Sequence, residues 1–265
     1  MRRWMATLPQ NVLLKYNTHI AHLQLNNKPV NQIDKQLAHS IKSNIQQLEL
    51  NKDIRGVLIG SATPKVFSAG LDIKCLYKPN TDELAEYWTA IQEMWIALYT
   101  TPLATVAAIS GHAPAGGCML AMSCDARVMI QGKFGIGLNE TQLGLVAPTW
   151  LARLLSSRVG ERVAERMLMR GELLNPNEAL ACGLVDEVVP QLSDLNGAAE
   201  EQLTQLLQVC DHARASTKID ARREYADALR LNQSEDLDNF IRMVLQEDVQ
   251  SSIGLYLKNL SNVDT

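Results

Sequence analysis

The chain has 265 residues, of which 46% are hydrophobic and 20% are charged, and its formal net charge is -4. This length and composition predict a globular protein with one large buried core, with or without a smaller appendage. The negative charge offers no electrostatic basis for binding nucleic acid or an anionic membrane. No apolar run is long enough to cross a bilayer, so we expect neither nucleic acid nor a membrane as a partner.

The cysteines, histidines and termini bear on metal binding and on the cellular compartment. The five cysteines form no C-x-x-C pair, and we interpret them as reduced thiols. His19 and His22 lie three apart in a strand-like segment and would point to opposite faces, so no metal site is expected. Arg2 and Arg3 are followed by no apolar signal segment, and the sequence at 261–265 is not a peroxisomal signal. We therefore expect a cytoplasmic, bacterial protein.

Strands and helices alternate over the first half of the chain. In chain order, the pattern predicts the strand Ile20–Leu25, the helix Leu37–Leu48 capped by Asp34, the strand Gly56–Gly60, the helix Leu84–Leu98, the strand Ala104–Ile109, the helix Pro114–Ser123 and the strand Ala126–Ile130. Pro114 suits the first turn of its helix. This alternation predicts a mostly parallel sheet with crossover helices.

From about Trp150 onward the pattern is mainly helical, with one strand-like break at Leu184–Val189. The segment Ala198–Leu260 contains no strong helix breaker, so we expect it to be helical throughout. We divide the chain into a core at 1–197, which carries the functional site, and a helical C-terminal region at 198–265. This region is expected to pack on the core or on a neighbouring subunit.

Glu140 is the only charged residue between Lys133 and Arg153. A carboxylate buried in apolar, glycine-rich sequence without a partner is costly, and desolvation raises its pKa. It would then be a good proton acceptor near neutral pH. The alternative is a carboxylate at the start of a helix that Asn139 caps.

Two glycine-rich segments could present backbone N–H groups to a ligand. In Val66–Asp72, Gly70 lets the backbone approach a ligand closely, although a tight loop after a strand explains the same residues. In Ile109–Met119, a buried strand leads through glycines to a helix N-terminus, whose free N–H groups and dipole stabilise negative charge. Close packing of the helix on the sheet is the alternative.

The second segment is not a Walker A phosphate loop, because Gly117 and Cys118 stand where Lys and Ser or Thr are required. A carbonyl oxygen that gains charge is therefore a better ligand than a triphosphate. Two loops of backbone donors and one isolated carboxylate are what proton abstraction next to a carbonyl requires.

Three segments, Phe67–Asp72, Pro114–Cys118 and Asn139–Gly144, resemble the crotonase (enoyl-CoA hydratase/isomerase) superfamily in order and spacing. The resemblance covers nearly the whole chain and is closest to the Δ3,Δ2-enoyl-CoA isomerases of the mitochondrial type. It implies an α/β fold, a crotonase-like spiral of β-β-α repeats with a helical C-terminal region used in trimer formation. It also implies an acyl-CoA thioester as substrate, with coenzyme A as part of the substrate and no separate cofactor, in a homotrimer or a dimer of trimers.

The resemblance also implies roles for individual residues. Glu140 would be the catalytic residue, and the N–H groups of Leu71 and Gly116 would form an oxyanion hole. The residues expected along the CoA-binding loop are Ser68, Ala69, Asp72, Ile73 and Lys74, with Lys74 available to a CoA phosphate.

Met119 is where this chain departs from the hydratases of the superfamily. They carry a Glu at that position and pair it with the one matching Glu140 to activate water. A thioether cannot accept a proton, so Met119 favours isomerisation over hydration. We place Met119 and Trp150 in the acyl pocket, although core packing explains Trp150 equally well.

The expected activity is thus that of a Δ3,Δ2-enoyl-CoA isomerase in fatty acid β-oxidation. A hydratase or another CoA-thioester reaction remains an alternative within the superfamily. A non-catalytic acyl-CoA-binding protein is a second alternative, and Glu140 with both donor loops speaks against it. An oligomer scaffold is a third, which explains the helical tail but not the glycine loops.

Overall fold

A computed structural model describes residues 11–263. The strands are β1 Val12–Asn17, β2 Ile20–Leu25, β3 Gln32–Ile33, β4 Gly56–Ser61, β5 Lys65–Val66, β6 Gly70–Leu71, β7 Ala104–Ile109, β8 Gly111–Pro114, β9 Ala126–Ile130, β10 Ile136–Gly137 and β11 Glu187–Val189. The helices are α1 Lys35–Leu50, α2 Thr81–Thr100, α3 Gly116–Ser123, α4 Thr149–Val159, α5 Glu161–Arg170, α6 Pro176–Ala181, α7 Leu192–Leu207, α8 Asp211–Leu231, α9 Gln233–Val244 and α10 Glu247–Val263. Short 3-10 helices cover Ile73–Leu76 and Glu140–Leu143.

The main sheet has six strands in the order β1-β2-β4-β7-β9-β11. Only the edge pair β1-β2 is antiparallel within it, and the other neighbours run parallel. Every residue of β7 is buried, as is usual where a parallel sheet is covered on both faces. The predicted, mostly parallel sheet with crossover helices is therefore confirmed.

Three strands of the main sheet, β2, β4 and β7, each lead into one or two short strands of a smaller sheet and then into a helix. The series β2-β3-α1, β4-β5-β6-α2 and β7-β8-α3 repeats this order. The short strands form two further sheets, β10-β8-β5 and β3-β6. This confirms the predicted spiral of β-β-α repeats, and it places the ends of β6, β8 and β10 side by side.

The first two crossover helices start where the sequence supplies caps. Asp34 Oδ1 accepts a hydrogen bond from the N–H of Leu37 at 2.7 Å, as predicted. Asn80 Oδ1 caps α2 by accepting from Asp82 N and Glu83 N, and both acidic residues lie at the positive end of the helix dipole.

Two predicted elements differ from the structure. Pro114 ends β8 instead of opening a helix, because Ala115 turns the chain with a φ of 47° and α3 begins at Gly116. The segment 198–260 is helical as predicted, but short breaks divide it into parts of four helices, α7 to α10. The breaks need no Gly or Pro, and Asn232, for example, ends α8 and precedes α9.

The boundary placed at 197/198 falls inside α7. Leu195, Ala199 and Leu203 of this helix pack against the main sheet in a cluster of their own. Helix α7 is thus part of the layer that covers the sheet, and the division into two regions stays a prediction.

A buried ion-pair cluster fixes the start of the C-terminal helices. Asp125 pairs with Arg222 Nη2 at 2.7 Å and with Lys218 Nζ at 3.0 Å, both on α8. Breaking such a buried pair strongly destabilises a fold because it leaves an uncompensated charge. The cluster therefore holds α8 in place, and α9 and α10 continue from it.

Within residues 11–263, the helices are all too short or too polar to span a bilayer.

Candidate active site

Glu140 starts the 3-10 helix Glu140–Leu143, which follows β10 and ends at Gly144 with a φ of 74°. Asn139 makes no capping hydrogen bond with its side chain to the described residues, so it does not cap this turn as the alternative interpretation required. Glu140 Oε2 is buried and has no hydrogen-bond partner in the described part of the chain.

Burial controls the acidity of Glu140. Desolvation raises the pKa of its carboxyl from 4.5 to about 7, and the residue's own backbone N–H opposes this only in part. Its carboxyl is thus balanced between its two protonation states near neutral pH, as the sequence predicted for a buried, isolated carboxylate.

The two glycine-rich segments meet beside this carboxylate. A methyl group added to Gly116 would lie 3.2 Å from Leu71 N and 3.2 Å from Gly70 Cα. Gly70 has a φ of 91°, a conformation that favours glycine. The alternative interpretations, a tight loop and close packing of the helix on the sheet, also apply, because a Cβ atom at Gly70 or Gly116 would lie only 3.0–3.2 Å from its nearest neighbours.

The N–H groups of both segments are directed by their local structure. Asp72 N–H donates to Ile33 O at 3.4 Å and to Tyr87 Oη at 3.1 Å. Since successive N–H groups of an extended chain point to opposite sides, the N–H of Leu71 points away from Ile33. Gly116 is the first residue of α3, and Ala115 before it has no side chain that could cap the first-turn N–H groups.

Two adjoining cavities share Leu71, Glu140 and Leu145 in their walls. The inner cavity has a volume of about 30 Å³, and its further lining residues are Trp88, Ile91, Gly116, Met119, Val146, Pro148, Leu151, Phe240 and Met243. The outer cavity has a volume of about 170 Å³ and is lined also by Ala69, Ile73, Pro114, Ala115, Asn139, Gln142, Leu143 and Tyr256. Among the described residues, Glu140 is the only Asp or Glu that lines either cavity.

The structure brings together part of the predicted site. Leu71, Gly116 and Glu140 line the inner cavity with Met119. Of the residues predicted along the CoA-binding loop, Ala69 and Ile73 line the outer cavity.

The other predicted residues lie outside both cavities. Ser68 is buried. Its Oγ donates to Asn31 O at 2.7 Å and accepts from Gly70 N–H, so it stabilises the loop without lining a cavity. Asp72 accepts from Lys74 N at 3.0 Å and caps the 3-10 helix Ile73–Leu76. The Lys74 side chain is exposed.

Trp150 differs from its predicted place in the acyl pocket. Its ring packs against Trp95 with 4.5 Å between ring centroids, and it lines neither cavity next to Glu140. Trp150 is buried in the core, and Leu151, the next residue on α4, lines the inner cavity instead.

The sequence model of the family described as enoyl-CoA hydratase/isomerase matches residues 15–262 of the chain. This match spans nearly all of the described structure. The chain belongs to the enoyl-CoA hydratase/isomerase family.

Three curated relatives of the chain are named as enoyl-CoA delta isomerases. The chain is 41% identical to the mitochondrial enoyl-CoA delta isomerase 1 of Mus musculus over 242 residues, which is 91% of this chain and 83% of the relative. It is 39% identical to the Homo sapiens protein of the same name over 242 residues, covering 91% of this chain and 80% of that protein.

Solved structures of the family have the same fold. The crystal structure of human mitochondrial delta3-delta2-enoyl-CoA isomerase matches with a TM-score of 0.94 and 37% identity, over 97% of this chain and 100% of the other. An enoyl-CoA hydratase from Bacillus halodurans matches with a TM-score of 0.84 over 92% of this chain and 99% of the other, but at 20% identity this supports the fold only.

These relatives correct the predicted compartment. The relatives from Mus musculus, Rattus norvegicus and Homo sapiens are all named as mitochondrial, which contradicts the expected bacterial cytoplasm. That prediction relied on finding no signal in the terminal residues, and such an absence is weak evidence. Arg2 and Arg3, on which it partly rested, lie outside the described residues.

The sequence alone missed several residues of this family site. Trp88 and Ile91 lie three apart on α2, but this spacing is equally that of an ordinary core face. Phe240 and Met243 on α9 and Tyr256 on α10 reach the cavities from a region that we had assigned only to packing or assembly. Their distance along the chain from Glu140 gave no local signal.

Proposed function

We propose that the chain is a Δ3,Δ2-enoyl-CoA isomerase, which moves a double bond from C3 to C2 of an acyl-CoA thioester in fatty acid β-oxidation. Coenzyme A is part of the substrate, and the proposal involves no separate cofactor. The observation that carries it is the single carboxylate of Glu140, unpartnered at Oε2, in a cavity that also contains Met119. The named isomerases that the chain resembles support the same activity.

The reaction follows from the arrangement of donors and carboxylate. The thioester oxygen binds between the N–H groups of Leu71 and Gly116, and Glu140 removes a proton from C2. The electrons pass into a dienolate whose oxygen carries negative charge, which the two donors stabilise. The protonated Glu140 then delivers its proton to C4, and the double bond ends between C2 and C3 in conjugation with the thioester.

The environment of Glu140 suits this proton shuttle. A general base works best when its pKa lies near the operating pH, and burial raises the pKa of Glu140 to about 7. The apolar walls keep water from competing for the dienolate. Met119 leaves the cavity without a second carboxylate to activate water, which disfavours hydration.

The outer cavity is the proposed entry for coenzyme A. Ala69 and Ile73 line it, and the exposed Lys74 directly follows Ile73, where it is available to a phosphate. Assembly as a homotrimer or a dimer of trimers is part of the proposal. Large apolar side chains exposed on the C-terminal helices support assembly, among them Ile219, Leu231 and Leu255.

The direct test is turnover of 3-hexenoyl-CoA, followed through the absorbance of the conjugated thioester product. We expect wild-type turnover and a loss of at least about 100-fold in kcat in Glu140→Gln, the range typical of a lost general base. Glu49→Gln is the matched control, because Glu49 is an exposed carboxylate on α1.

Retention of more than a tenth of the wild-type kcat in Glu140→Gln would sink the assignment of the base. Tight acyl-CoA binding in calorimetry without any turnover by the wild type would support the non-catalytic alternative instead.

A further inference from the structure

The inner cavity is small for a site that is proposed to hold an acyl chain. Its volume of about 30 Å³ has room for only a few water molecules and lies far below the roughly 300–1,000 Å³ of ligand sites in general. The length of the acyl chain that can bind therefore depends on which part of the cavity wall can move.

One wall is a pair of stacked aromatic rings from two helices. The rings of Trp88 on α2 and Phe240 on α9 lie 3.7 Å apart at their centroids with an angle of 7° between their planes. Trp88 is only 2% exposed and Phe240 only 6%. The two rings thus lie nearly face to face and are shielded from water, so their apolar area contributes to packing α2 against α9.

Hydrogen bonds hold this stack in place. Trp88 Nε1–H donates to Asp236 Oδ2 at 2.8 Å, and Gln92 Nε2–H donates to the same oxygen at 2.8 Å. Asp236 lies in the first turn of α9, where a carboxylate is favoured by the helix dipole. Rotation of the indole would break the hydrogen bond between Trp88 Nε1–H and Asp236 and leave the buried N–H without its partner. Because this loss is costly, we expect this part of the wall to be rigid.

Another part of the cavity wall can adapt. Met243, one turn beyond Phe240 on α9, has an unbranched side chain that changes shape easily. Its Sδ accepts from Val146 N–H at 3.2 Å, and the Val146 side chain is 64% exposed. Movement of Met243 would enlarge the cavity next to the exposed Val146, whereas the hydrogen-bonded rings of the stack would keep their place.

We propose that the tethered stack of Trp88 and Phe240 closes the deep end of the acyl site and sets an upper limit on acyl chain length, so that short substrates are preferred. This inference rests on the proposed function. It assigns specificity to residues whose position in the sequence predicts only core packing.

The test is kcat/KM for a series of 3-enoyl-CoA substrates from hexenoyl to dodecenoyl. We expect the wild type to be most efficient with hexenoyl- and octenoyl-CoA. Each methylene that gains an apolar site changes affinity by about fourfold, so Phe240→Ala should raise the ratio of dodecenoyl to hexenoyl efficiency by at least about tenfold.

Leu237→Ala is the matched control, because Leu237 lies on the same helix and packs against the core without lining either cavity. It should leave the ratio unchanged. If Phe240→Ala does not fold, Trp88→Phe provides the second variant, since it loses the N–H donor to Asp236 and part of the stacked area. The same rise in ratio is then expected at a smaller size.

A wild type that processes dodecenoyl-CoA as efficiently as hexenoyl-CoA would overturn the inference, and so would variants that change all substrates by one common factor. These results would leave the proposed function intact. Absence of isomerisation with every chain length would overturn the function instead. In that case, calorimetry with saturated hexanoyl-CoA and dodecanoyl-CoA would still test the stack in the same proteins. The inference would be refuted if the wild type gained the same binding free energy for every methylene added between these two ligands.

Discussion

Removal of the charge on Glu140 should stabilise the fold while it abolishes turnover. The folded carboxyl has a pKa of about 7 where its ordinary value is 4.5. At about 1.36 kcal/mol per pH unit, this difference corresponds to about 3 kcal/mol. The figure is an upper limit, because part of the residue stays in contact with solvent although Oε2 is buried.

The sign follows from proton binding. The folded carboxyl holds its proton more tightly than the unfolded one, so the folded state is most favoured below about pH 4.5, where both are protonated. Wild-type stability should then fall as the pH rises from about 4.5 to about 7 and stay level above that. Glu140→Gln has no charge to desolvate, so it should match the wild type near pH 4.5 and exceed it at pH 8.

Thermal unfolding at the two pH values measures this effect. For a chain of this length, about 3 kcal/mol corresponds to a rise in Tm of about 5 °C in Glu140→Gln at pH 8. Glu49→Gln, at an exposed carboxylate, should show no such pH-dependent difference. An equal Tm difference between Glu140→Gln and wild type at both pH values would refute the reasoning, because it would mean that the carboxylate is not desolvated in the folded protein.

Two further substitutions address the other parts of the site. Gly116→Ala would bring a methyl group to 3.2 Å from Leu71 N, and loss of one oxyanion donor typically lowers kcat by about 10²–10³. Gly197→Ala is the control, because no atom lies within 4 Å of the added methyl, and it should retain activity. Equal activity of the two variants would contradict the assignment of donors. Met119→Glu should raise hydration of crotonyl-CoA above background by restoring a second carboxylate beside Glu140, and a folded variant without any gain would show that other positions also prevent hydration.

The sequence predicted best those elements that are buried on both sides. Ala104–Ile109 reads as a continuous apolar run and is strand β7 with the same bounds. By contrast β1, Val12–Asn17, went unrecognised because it is a mostly exposed edge strand without an apolar alternation. Pro114 misled for a local reason, since the backbone of Ala115 reverses the chain before the helix can begin.

The site was predictable only in part for a related reason. The isolation of Glu140 in the sequence signalled a perturbed carboxylate, and its pKa is indeed raised by burial. That Leu71 and Gly116 lie beside each other was implied by resemblance alone, because nothing local in either segment fixes their distance. Phe240 and Tyr256 enter the cavities through the path of α9 and α10, which depends on how α8 is anchored to the core.

Helix α10 gives the order of synthesis a direct bearing on the site. Gln250 on this helix accepts from Lys78 N–H at 2.7 Å and donates to Leu76 O at 2.8 Å, which ties α10 to the segment after the 3-10 helix Ile73–Leu76. Tyr256 of the same helix lines the outer cavity. A nascent chain therefore carries Glu140 and both glycine loops before Tyr256 is synthesised, and the wall of the outer cavity cannot be complete until α10 has left the ribosome.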